Sequence, residues 1–400
     1  MEHIFVIASI WLGLAVISAI IAYHLKISIA LVEICAGIIA AFLSDKFLGT
    51  ELVGNNQEWL KFLASAGSIF LTFLAGAELD PKVIKVKLKE VFLVGIIGFF
   101  APFVGASLIS YFLLKWDMKA SLLVGIALST TSMAVVYSVM LETGLNKTEY
   151  GKGILGACFI NDLGTVIALG LIFSPFTIKT LVFVILTVIV LILFPVITQF
   201  ITKIYGNRTA AIRIKWVSFV LFAMSAFALW SGSEAVLPAY LLGMALAEFA
   251  TKNSIWVRRV RSLTVGFLTP FYFIRAGSLV GVSSLISAPL VFLVLFMSKV
   301  ISKIFGLFPI VSIFRRDSKE RWYYTLLMST GLTFGTISAL FGYSHNIINK
   351  QQYSLIVLTV IASAVIPTMI ANFYFLPKHL IRKEKESVNV YAKLEDINEE

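Results

Sequence analysis

The chain has 400 residues, of which 59% are hydrophobic and 14% are charged, and its formal net charge is +11. Soluble globular domains carry about 25% charged residues, so this composition excludes an ordinary soluble protein and favours one that spans a lipid bilayer. The 2 cysteines and 4 histidines have neither disulfide nor metal-ligand spacing, which argues against a cofactor or a resident metal. In a membrane protein the positive charge belongs to the loops, so it does not indicate nucleic-acid binding.

Apolar runs of the length that a transmembrane helix requires, about 20 residues, recur along the whole chain. They predict an all-α polytopic membrane protein with about thirteen spans. The first run follows Met-Glu-His and lacks the basic region of a signal peptide, so we expect an uncleaved span. In chain order the predicted spans are Ile4–Ala22, Ile27–Leu43, Leu60–Leu79, Val91–Leu114, Lys119–Leu141, Gly153–Phe173, Ile178–Ile201, Ile214–Trp230, Ala235–Phe249, Ser262–Val280, Leu285–Phe308, Trp322–Phe341 and Tyr353–Leu376.

The basic residues test this count, because positively charged loops stay on the cytoplasmic side of a membrane. Connections rich in Lys and Arg alternate with poor ones, which places the N-terminus outside and the C-terminus in the cytoplasm and requires an odd number of spans. The rich connections hold His24 and Lys26; Lys82, Lys85, Lys87 and Lys89; Lys147 and Lys152; Lys203, Arg208, Arg213 and Lys215; Lys252, Arg258, Arg259 and Arg261; Lys303, Arg315, Arg316, Lys319 and Arg321; and the tail from Lys378 to Lys393.

One apolar run contains a carboxylate. The stretch GACFINDLGTVIALG places Asn161 and Asp162 in the middle of a run over residues 154–173. A charged side chain at the centre of a span costs about 2.5–3.5 kcal/mol on the insertion scale, so an Asp there indicates a functional site. Arg275 and Lys299 also fall within spans. The alternative role for Asp162 is structural, as a salt bridge to one of these two residues that holds helices together.

Two spans share an unusual interruption. The fifth reads GIALSTTSMAVVYSV and the twelfth reads LLMSTGLTFGTISAL, and Ser129-Thr130 lies 200 residues before Ser329-Thr330. Because the twelfth span comes seven positions after the fifth, which is an odd number, the two segments run through the membrane in opposite senses. Paired interrupted segments in inverted repeats indicate the central site of a secondary transporter. The alternative is that these small hydroxyl residues only allow close helix packing.

Five motifs, in this order along the chain, resemble those of the monovalent cation:proton antiporter superfamily, most closely its sodium/proton (Nap/Kef-like) branch: FLTFLAGAELD, ALSTTSMAVV, CFINDLGTVIALG, EAVLPAYLLGMALAE and GLTFGTISALFG. The resemblance implies a six-helix core, expected over 60–173 and 284–376, in which two broken helices cross near the ion. It also implies a dimerisation and scaffold part around that core. Residues 1–378 would then form a single transmembrane transporter domain that works as a homodimer, followed by a short charged cytoplasmic tail, 379–400.

The same resemblance implies roles for single residues. Asp162 matches the ion-binding carboxylate of the family. Asn161 matches its neighbour, which is Asp in electrogenic members and Asn in many electroneutral ones. Hydroxyl and carbonyl groups of the first broken helix, matched by Thr130 and Thr131 beside Ser129, would bind Na⁺ together with Asp162.

Basic and acidic residues elsewhere are expected to compensate charge or to gate the site. The resemblance matches Lys299 to the basic residue of the span before the second broken helix, and Arg275 lies nearer the outer third of its span. The chain departs from the family at Ser132, where relatives often carry an acid. Because Asn161 stands where the two-Asp members of the family carry their first Asp, the resemblance also leaves Lys299 without the partner that it has in those members. Glu78 and Glu142, near span ends, are candidates for that partner.

These residues predict a secondary antiporter that works by alternating access. Burial disfavours an ionised carboxylate and a nearby cation favours it, so a balanced Asp162 binds either a proton or Na⁺ (alternatively Li⁺ or K⁺) but not both. With Asn161 uncharged, we expect electroneutral exchange of one H⁺ for one Na⁺. Two alternatives stay open: a channel-like K⁺ efflux system of the Kef type, and a sodium-coupled symporter of organic solutes.

The sequence also indicates the class of protein and its location in the cell. No nucleophile–base pair or metal motif lies at membrane depth, so we do not expect an enzyme. We expect a multi-pass protein of the plasma membrane, in contact with the lipid bilayer, that serves pH homeostasis.

Overall fold

The computed structural model describes residues 2–25, 29–44, 57–77, 87–143, 145, 148–173, 177–206, 211–233 and 235–380. Every regular element within these residues is a helix, which confirms the all-α prediction. The helices are α1 (Glu2–Leu25), α2 (Ile29–Leu43), α3 (Glu58–Ala77), α4 (Leu88–Phe112), α5 (Met118–Ser129), α6 (Met133–Thr143), α7 (Glu149–Phe173), α8 (Ile178–Tyr205), α9 (Ile212–Trp230), α10 (Val236–Ala245), α11 (Ala247–Lys252), α12 (Ser254–Leu263), α13 (Thr269–Ser278), α14 (Val282–Ser287), α15 (Pro289–Phe314), α16 (Ser318–Met328), α17 (Thr333–Ser344) and α18 (Lys350–Ile370), with π-helical turns at Thr264–Leu268 and Ala371–Phe375.

Helices long and apolar enough to cross a membrane dominate the described part of the chain. The helix α8 shows the character of these segments, because it leaves apolar side chains such as Ile178, Val196 and Phe200 exposed. An extended apolar surface of this kind is costly in water and suits contact with lipid tails. Among the described residues, 9 segments meet these criteria: Ile4–Leu25, Glu58–Ala77, Leu88–Phe112, Glu149–Phe173, Ile178–Tyr205, Ile212–Trp230, Pro289–Phe314, Ser318–Ser344 and Lys350–Phe375.

The predicted tenth span, Ser262–Val280, begins earlier in the structure. Helix α12 starts at Ser254 and continues through the π-helical turn into α13. Trp256 and Val260 are buried on one side of α12, whereas Arg258 and Arg259 are exposed. The arginines that the sequence assigned to a connection therefore lie on an amphipathic helix, whose polar face escapes a hydropathy count.

The chain divides into two compact units, each built from three separate stretches. Unit 1 comprises the described residues of 1–82, 163–289 and 336–358, and unit 2 those of 83–162, 290–335 and 359–400. The six-helix core was expected over 60–173 and 284–376. Residues 60–77, which that expectation includes, belong to unit 1, so the assignment of a core and a scaffold domain stays a prediction.

In unit 1, helices α2 and α13 cross with their backbones in direct contact. A Cβ atom added to Gly37 would overlap the carbonyl oxygen of Ile274, and one added to Gly277 would overlap that of Ile34. The contact is reciprocal: the glycine of each helix lies against the carbonyl group of the other helix, three residues before that helix's own glycine. This close approach brings main-chain dipoles and many atoms into contact, as small residues do in membrane helix pairs.

Helices α3 and α10, also in unit 1, repeat this arrangement. A Cβ atom on Gly76 would overlap the carbonyl oxygen of Tyr240, and one on Gly243 would overlap that of Phe73. The sequence around the first glycine, FLAGA over 73–77, is similar to IRAGS over 274–278 at the other crossing. The two crossings therefore use matching glycines from the first and second halves of the chain.

In unit 2, two helices end in the middle of a predicted span, at matching positions. Asp117 caps α5 by accepting from the backbone N–H of Ala120 at 3.2 Å, and Asp317 caps α16 by accepting from that of Lys319 at 2.7 Å. Both helices end at the Ser-Thr pair that the sequence singled out, and the chain resumes as α6 at Met133 and as α17 at Thr333. The predicted interruptions are thus present as helix breaks. An acceptor at the helix N-cap satisfies N–H groups that have no partner within the helix.

An ion pair at one end of unit 2 joins α4 to the residue that follows α15. Nη2 and Nε of Arg315 donate to the same carboxylate oxygen of Glu90 at 2.5 and 3.1 Å, and the guanidinium lies 5.0 Å from the ring centre of Tyr150. Burial alone would lower the pKa of Arg315, but the hydrogen bond and charge of Glu90 outweigh it and raise that pKa. Removing either partner would leave a half-buried charge, which is costly.

Candidate cation-binding site

Asp162 lies in α7 within unit 2, enclosed by protein. Its side chain is 2% exposed, and that of Asn161 is 0% exposed. Among the described residues, no donor reaches Oδ1 of Asp162. No ion pair within 4.0 Å joins this carboxylate to a described basic residue of its own unit, so the alternative of a structural salt bridge to Lys299 is not observed. A buried acceptor without a partner is costly, which indicates a site that another ligand completes.

The two helix breaks lie against each other in the same unit. The backbone N–H of Ser132 donates to the carbonyl oxygen of Thr330 at 3.1 Å. The hydroxyl of Thr131 donates to the carbonyl oxygen of Met328 at 2.8 Å. These contacts satisfy main-chain groups that the interrupted helices leave without partners, as irregular backbone at membrane depth requires.

The hydroxyl groups of Ser129 and Thr130 turn back onto their own helix. Ser129 donates to the carbonyl oxygen of Ile126 at 2.8 Å, and Thr130 donates to that of Ala127 at 3.1 Å. A hydroxyl that donates its hydrogen keeps two lone pairs on its oxygen. Both oxygens therefore retain the capacity to accept a hydrogen bond or to coordinate a cation.

Two lysines of α15 point into this region. Lys299 and Lys303 are both 0% exposed and stand one helical turn apart. Nζ of Lys299 donates to the carbonyl oxygen of Thr130 at 3.2 Å, and Nζ of Lys303 donates to the hydroxyl of Thr131 at 2.9 Å. Lys299 thus meets the C-terminal end of α5, where the helix dipole favours a positive charge.

Gly331 provides the space that Lys299 occupies. A Cβ atom at this position would overlap Nζ of Lys299 and would lie 3.1 Å from the hydroxyl oxygen of Thr130. The second break therefore carries a glycine where the first carries Thr131, and the ammonium group fills the gap.

The placement of Lys303 in a cytoplasmic connection is wrong. The structure buries this residue in the middle of α15, where its charge acts on the carboxylate of Asp162. The rule that basic residues mark loops led to the error, because Lys303 is close in sequence to Arg315 and Arg316. A signal was present nonetheless: Lys299 and Lys303 are four residues apart in an apolar helix and so share one face.

The other predicted charged residues are distributed differently. Arg275 lies on α13 in unit 1, where it interacts electrostatically with Tyr353, whose hydroxyl donates to the carbonyl oxygen of Ala276 at 2.9 Å. Glu78 lies outside the described residues, as does the side chain of Glu142. Unit 2 thus brings together all the predicted ion-binding residues and Lys299, whereas the roles predicted for Arg275 and Glu78 stay predictions.

Helices throughout the described residues, many apolar segments, a buried carboxylate and two helix breaks in contact are typical of a membrane transporter. The family model described as "Sodium/hydrogen exchanger, transmembrane" matches residues 12–376. The chain belongs to this family, which confirms the resemblance to cation:proton antiporters and the prediction of a multi-pass membrane protein.

Individual relatives are similar over most of the chain. A probable Na⁺/H⁺ antiporter 3 of Methanocaldococcus jannaschii is 24% identical over 333 residues, which cover 80% of this chain and 84% of the relative. A Na⁺/H⁺ antiporter of Enterococcus hirae is 25% identical, with 77% of this chain and 83% of the relative covered. A putative Na⁺/H⁺ antiporter of Bacillus subtilis is 26% identical over 90% of this chain, which spans 61% of that relative's length.

A solved structure shows the same fold. The sodium proton antiporter MjNhaP1 of Methanocaldococcus jannaschii at pH 8 superimposes with a TM-score of 0.71 at 15% sequence identity, covering 94% of this chain and 99% of the other. Identity at this level supports the architecture and leaves the role of each residue to be argued from the site itself.

Proposed function

We propose that this protein exchanges Na⁺ for H⁺ across the plasma membrane by alternating access, with both ions competing for Asp162. The family and the names of the relatives support Na⁺ and H⁺ as the transported ions. The observation that carries the proposal is the buried Oδ1 of Asp162, which no described donor reaches. Such an oxygen can bind either a proton or a cation, and binding of one excludes binding of the other.

The oxygen atoms around the first break supply the ligands for Na⁺. Hard cations prefer oxygen donors, and the carboxylate of Asp162 with the hydroxyl and carbonyl oxygens of the break are of this type. Thr130 retains both lone pairs of its hydroxyl oxygen, whereas the hydroxyl of Thr131 already accepts from Lys303. Because a cation and an ammonium group repel each other, Na⁺ bound at Thr131 would require Lys303 to turn away.

The exchange is electroneutral in this proposal. Asp162 is the acidic member of the pair, and Asn161 cannot bind a second transported proton. Lys299 lies against the carbonyl end of α5 and Lys303 lies beside Asp162, and neither is an exchanged group in this proposal. One proton then leaves for each Na⁺ that enters.

We further infer thirteen spans with the N-terminus outside, a pair of inverted repeats, and a homodimer. Support for the repeat comes from the capping residues Asp117 and Asp317, from the two breaks, and from the matching glycines of the crossings in unit 1. The count of spans is supported by the alternation of connections rich and poor in Lys and Arg.

Reconstitution tests the proposed function. Purified protein in liposomes with an imposed pH gradient should move protons only after addition of Na⁺ or Li⁺, and Asp162→Asn should abolish this flux because its side chain cannot exchange a proton. Asp117→Asn is the matched control: Asn caps helices as well as Asp does, so exchange should persist. Cation flux without proton movement, as a channel would give, or full exchange in Asp162→Asn would contradict the proposal.

A further inference from the structure

Two sulfur atoms meet beside the cation-binding site, and ion exchange as proposed does not use them. The thiol of Cys158, on α7, donates to Sδ of Met328, the last residue of α16, at 3.5 Å. Both side chains are 0% exposed. A thiol and a thioether are the two soft donors available in proteins, and the fold brings them into contact within unit 2.

The surroundings of this sulfur pair include a buried carboxylate oxygen without a hydrogen-bond partner among the described residues. Cys158 precedes Asp162 by four residues, so the two side chains share one face of α7 and lie about 6 Å apart along its axis. Oδ1 of Asp162 is buried and has no hydrogen-bond partner among the described residues. The charge of Lys303 acts on both side chains, so thiol, carboxylate and ammonium form one electrostatic cluster.

The main chain at Met328 is fixed, whereas its side chain can adjust. The carbonyl oxygen of this residue accepts from the hydroxyl of Thr131. Its side chain reaches past Gly98, where an added Cβ would lie 3.3 Å from the terminal methyl group of Met328. A methionine has three rotatable bonds, so its sulfur can move the short distance that metal coordination demands.

We propose that Cys158 and Met328 form a binding site for a soft monovalent cation of the Ag⁺ or Cu⁺ type. Soft thiolate and thioether ligands select such ions over Na⁺, which prefers oxygen. On binding, the S–H bond of Cys158 breaks, a sulfur–metal bond forms, and the proton passes to the solution. No electron is transferred, and one positive charge replaces another.

A cation bound there links α7 to the end of α16, beside both helix breaks and one turn from Asp162. It therefore blocks the exchange of Na⁺ for H⁺. This second part rests on the proposed function, whereas the binding itself does not.

Binding is measured first, on the purified full chain in detergent with AgNO₃ in a halide-free buffer. Cys35, on α2 of unit 1, is the other free cysteine and provides the control substitution. Cys35→Ser should bind Ag⁺ and release one proton per ion, read by calorimetry and by a pH indicator in weak buffer. Adding Cys158→Ser should remove this binding, and adding Met328→Leu, which conserves volume, should weaken it at least about tenfold. Size-exclusion chromatography confirms that each variant is folded.

Inhibition of exchange is measured in liposomes, each variant relative to its own rate without Ag⁺. The wild type and Cys35→Ser should be inhibited at the same Ag⁺ concentration, and Met328→Leu should need at least about tenfold more, as its weaker binding requires. Retained Ag⁺ binding in Cys35→Ser with Cys158→Ser, or unchanged affinity in Met328→Leu, would overturn the sulfur-pair site. Tight binding with uninhibited exchange would overturn the block alone, and an absence of exchange without Ag⁺ would refute the proposed function while leaving the binding measurement valid.

Discussion

At the residue scale, the proposed electroneutral exchange depends on Asn161, which is expected to set how many protons the site carries in each cycle. Its side chain is buried next to Asp162, and its amide nitrogen would lie 3.4 Å from a Cβ atom on Gly98, so little room remains around it. An Asp has nearly the same shape and adds a second group that can bind a proton. We therefore expect Asn161→Asp to move two protons per Na⁺, and to be driven by a K⁺ diffusion potential in liposomes.

The wild type and Asn161→Ala provide the reference for this measurement. Neither adds a titratable group, so their exchange rates should be the same with and without an imposed potential. An Asn161→Asp variant that exchanges ions at a rate independent of potential would show that Asn161 does not set the stoichiometry. A potential-driven flux in the wild type would contradict electroneutral exchange directly.

Those residues of the site that place a polar or charged side chain within an apolar run could be predicted from the sequence. Asp162, Asn161 and Lys299 stand out because a polar group in an apolar run has a visible cost. Lys303 has the same cost, but the nearby arginines gave it an alternative explanation as a loop residue. The hydrogen bond from Lys303 to Thr131 joins residues 172 apart in the sequence, so no local sequence pattern could predict it.

At the element scale, the helix crossings of unit 1 depend on glycines whose importance the sequence hides. The helix breaks were predictable because Ser, Thr and Gly cluster in mid-span, which is a local feature. A glycine in an apolar run instead has many explanations, and the fold alone shows that Gly37 and Gly277 face backbone atoms of the partner helix. The amphipathic helix α12 was missed for a related reason, since its arginines resemble those of a loop.

The crossing of α2 and α13 leads to a stability prediction. In Gly277→Ala the new methyl group overlaps the carbonyl oxygen of Ile34, and because a backbone atom cannot rotate away, the helices must separate. Overpacking of this kind costs about 1–3 kcal/mol, so the melting temperature in detergent should fall. Gly13→Ala is the matched control, because nothing lies within 4 Å of its added Cβ.

In that control, alanine favours the helix over glycine by about 1 kcal/mol, so its melting temperature should stay the same or rise. The melting temperatures of both variants are measured by differential scanning fluorimetry with a dye that does not react with thiols. Equal melting temperatures for the two substitutions would show that α2 and α13 do not cross at their glycines.

At the scale of the whole molecule, the alternation of charged connections predicts how the chain lies in the membrane. Among the described residues, 9 segments are long enough to span a membrane, and α2 and α5 are apolar but shorter than a full span, so the count of thirteen stays a prediction. With an odd number of spans the ends lie on opposite sides. By the positive-inside rule we expect the tail, which contains several Lys residues, in the cytoplasm.

Labelling of single cysteines tests this topology. In a background with Cys35→Ser and Cys158→Ser, a membrane-impermeant maleimide should label His3→Cys in intact cells. It should label Ser387→Cys only in inverted vesicles or after permeabilisation. The charge of the connections is the physical cause: moving Lys82, Lys85, Lys87 and Lys89 across the bilayer is far costlier than moving the connections with few basic residues. Labelling of both positions from the same side would require an even number of spans and would contradict the predicted count of thirteen.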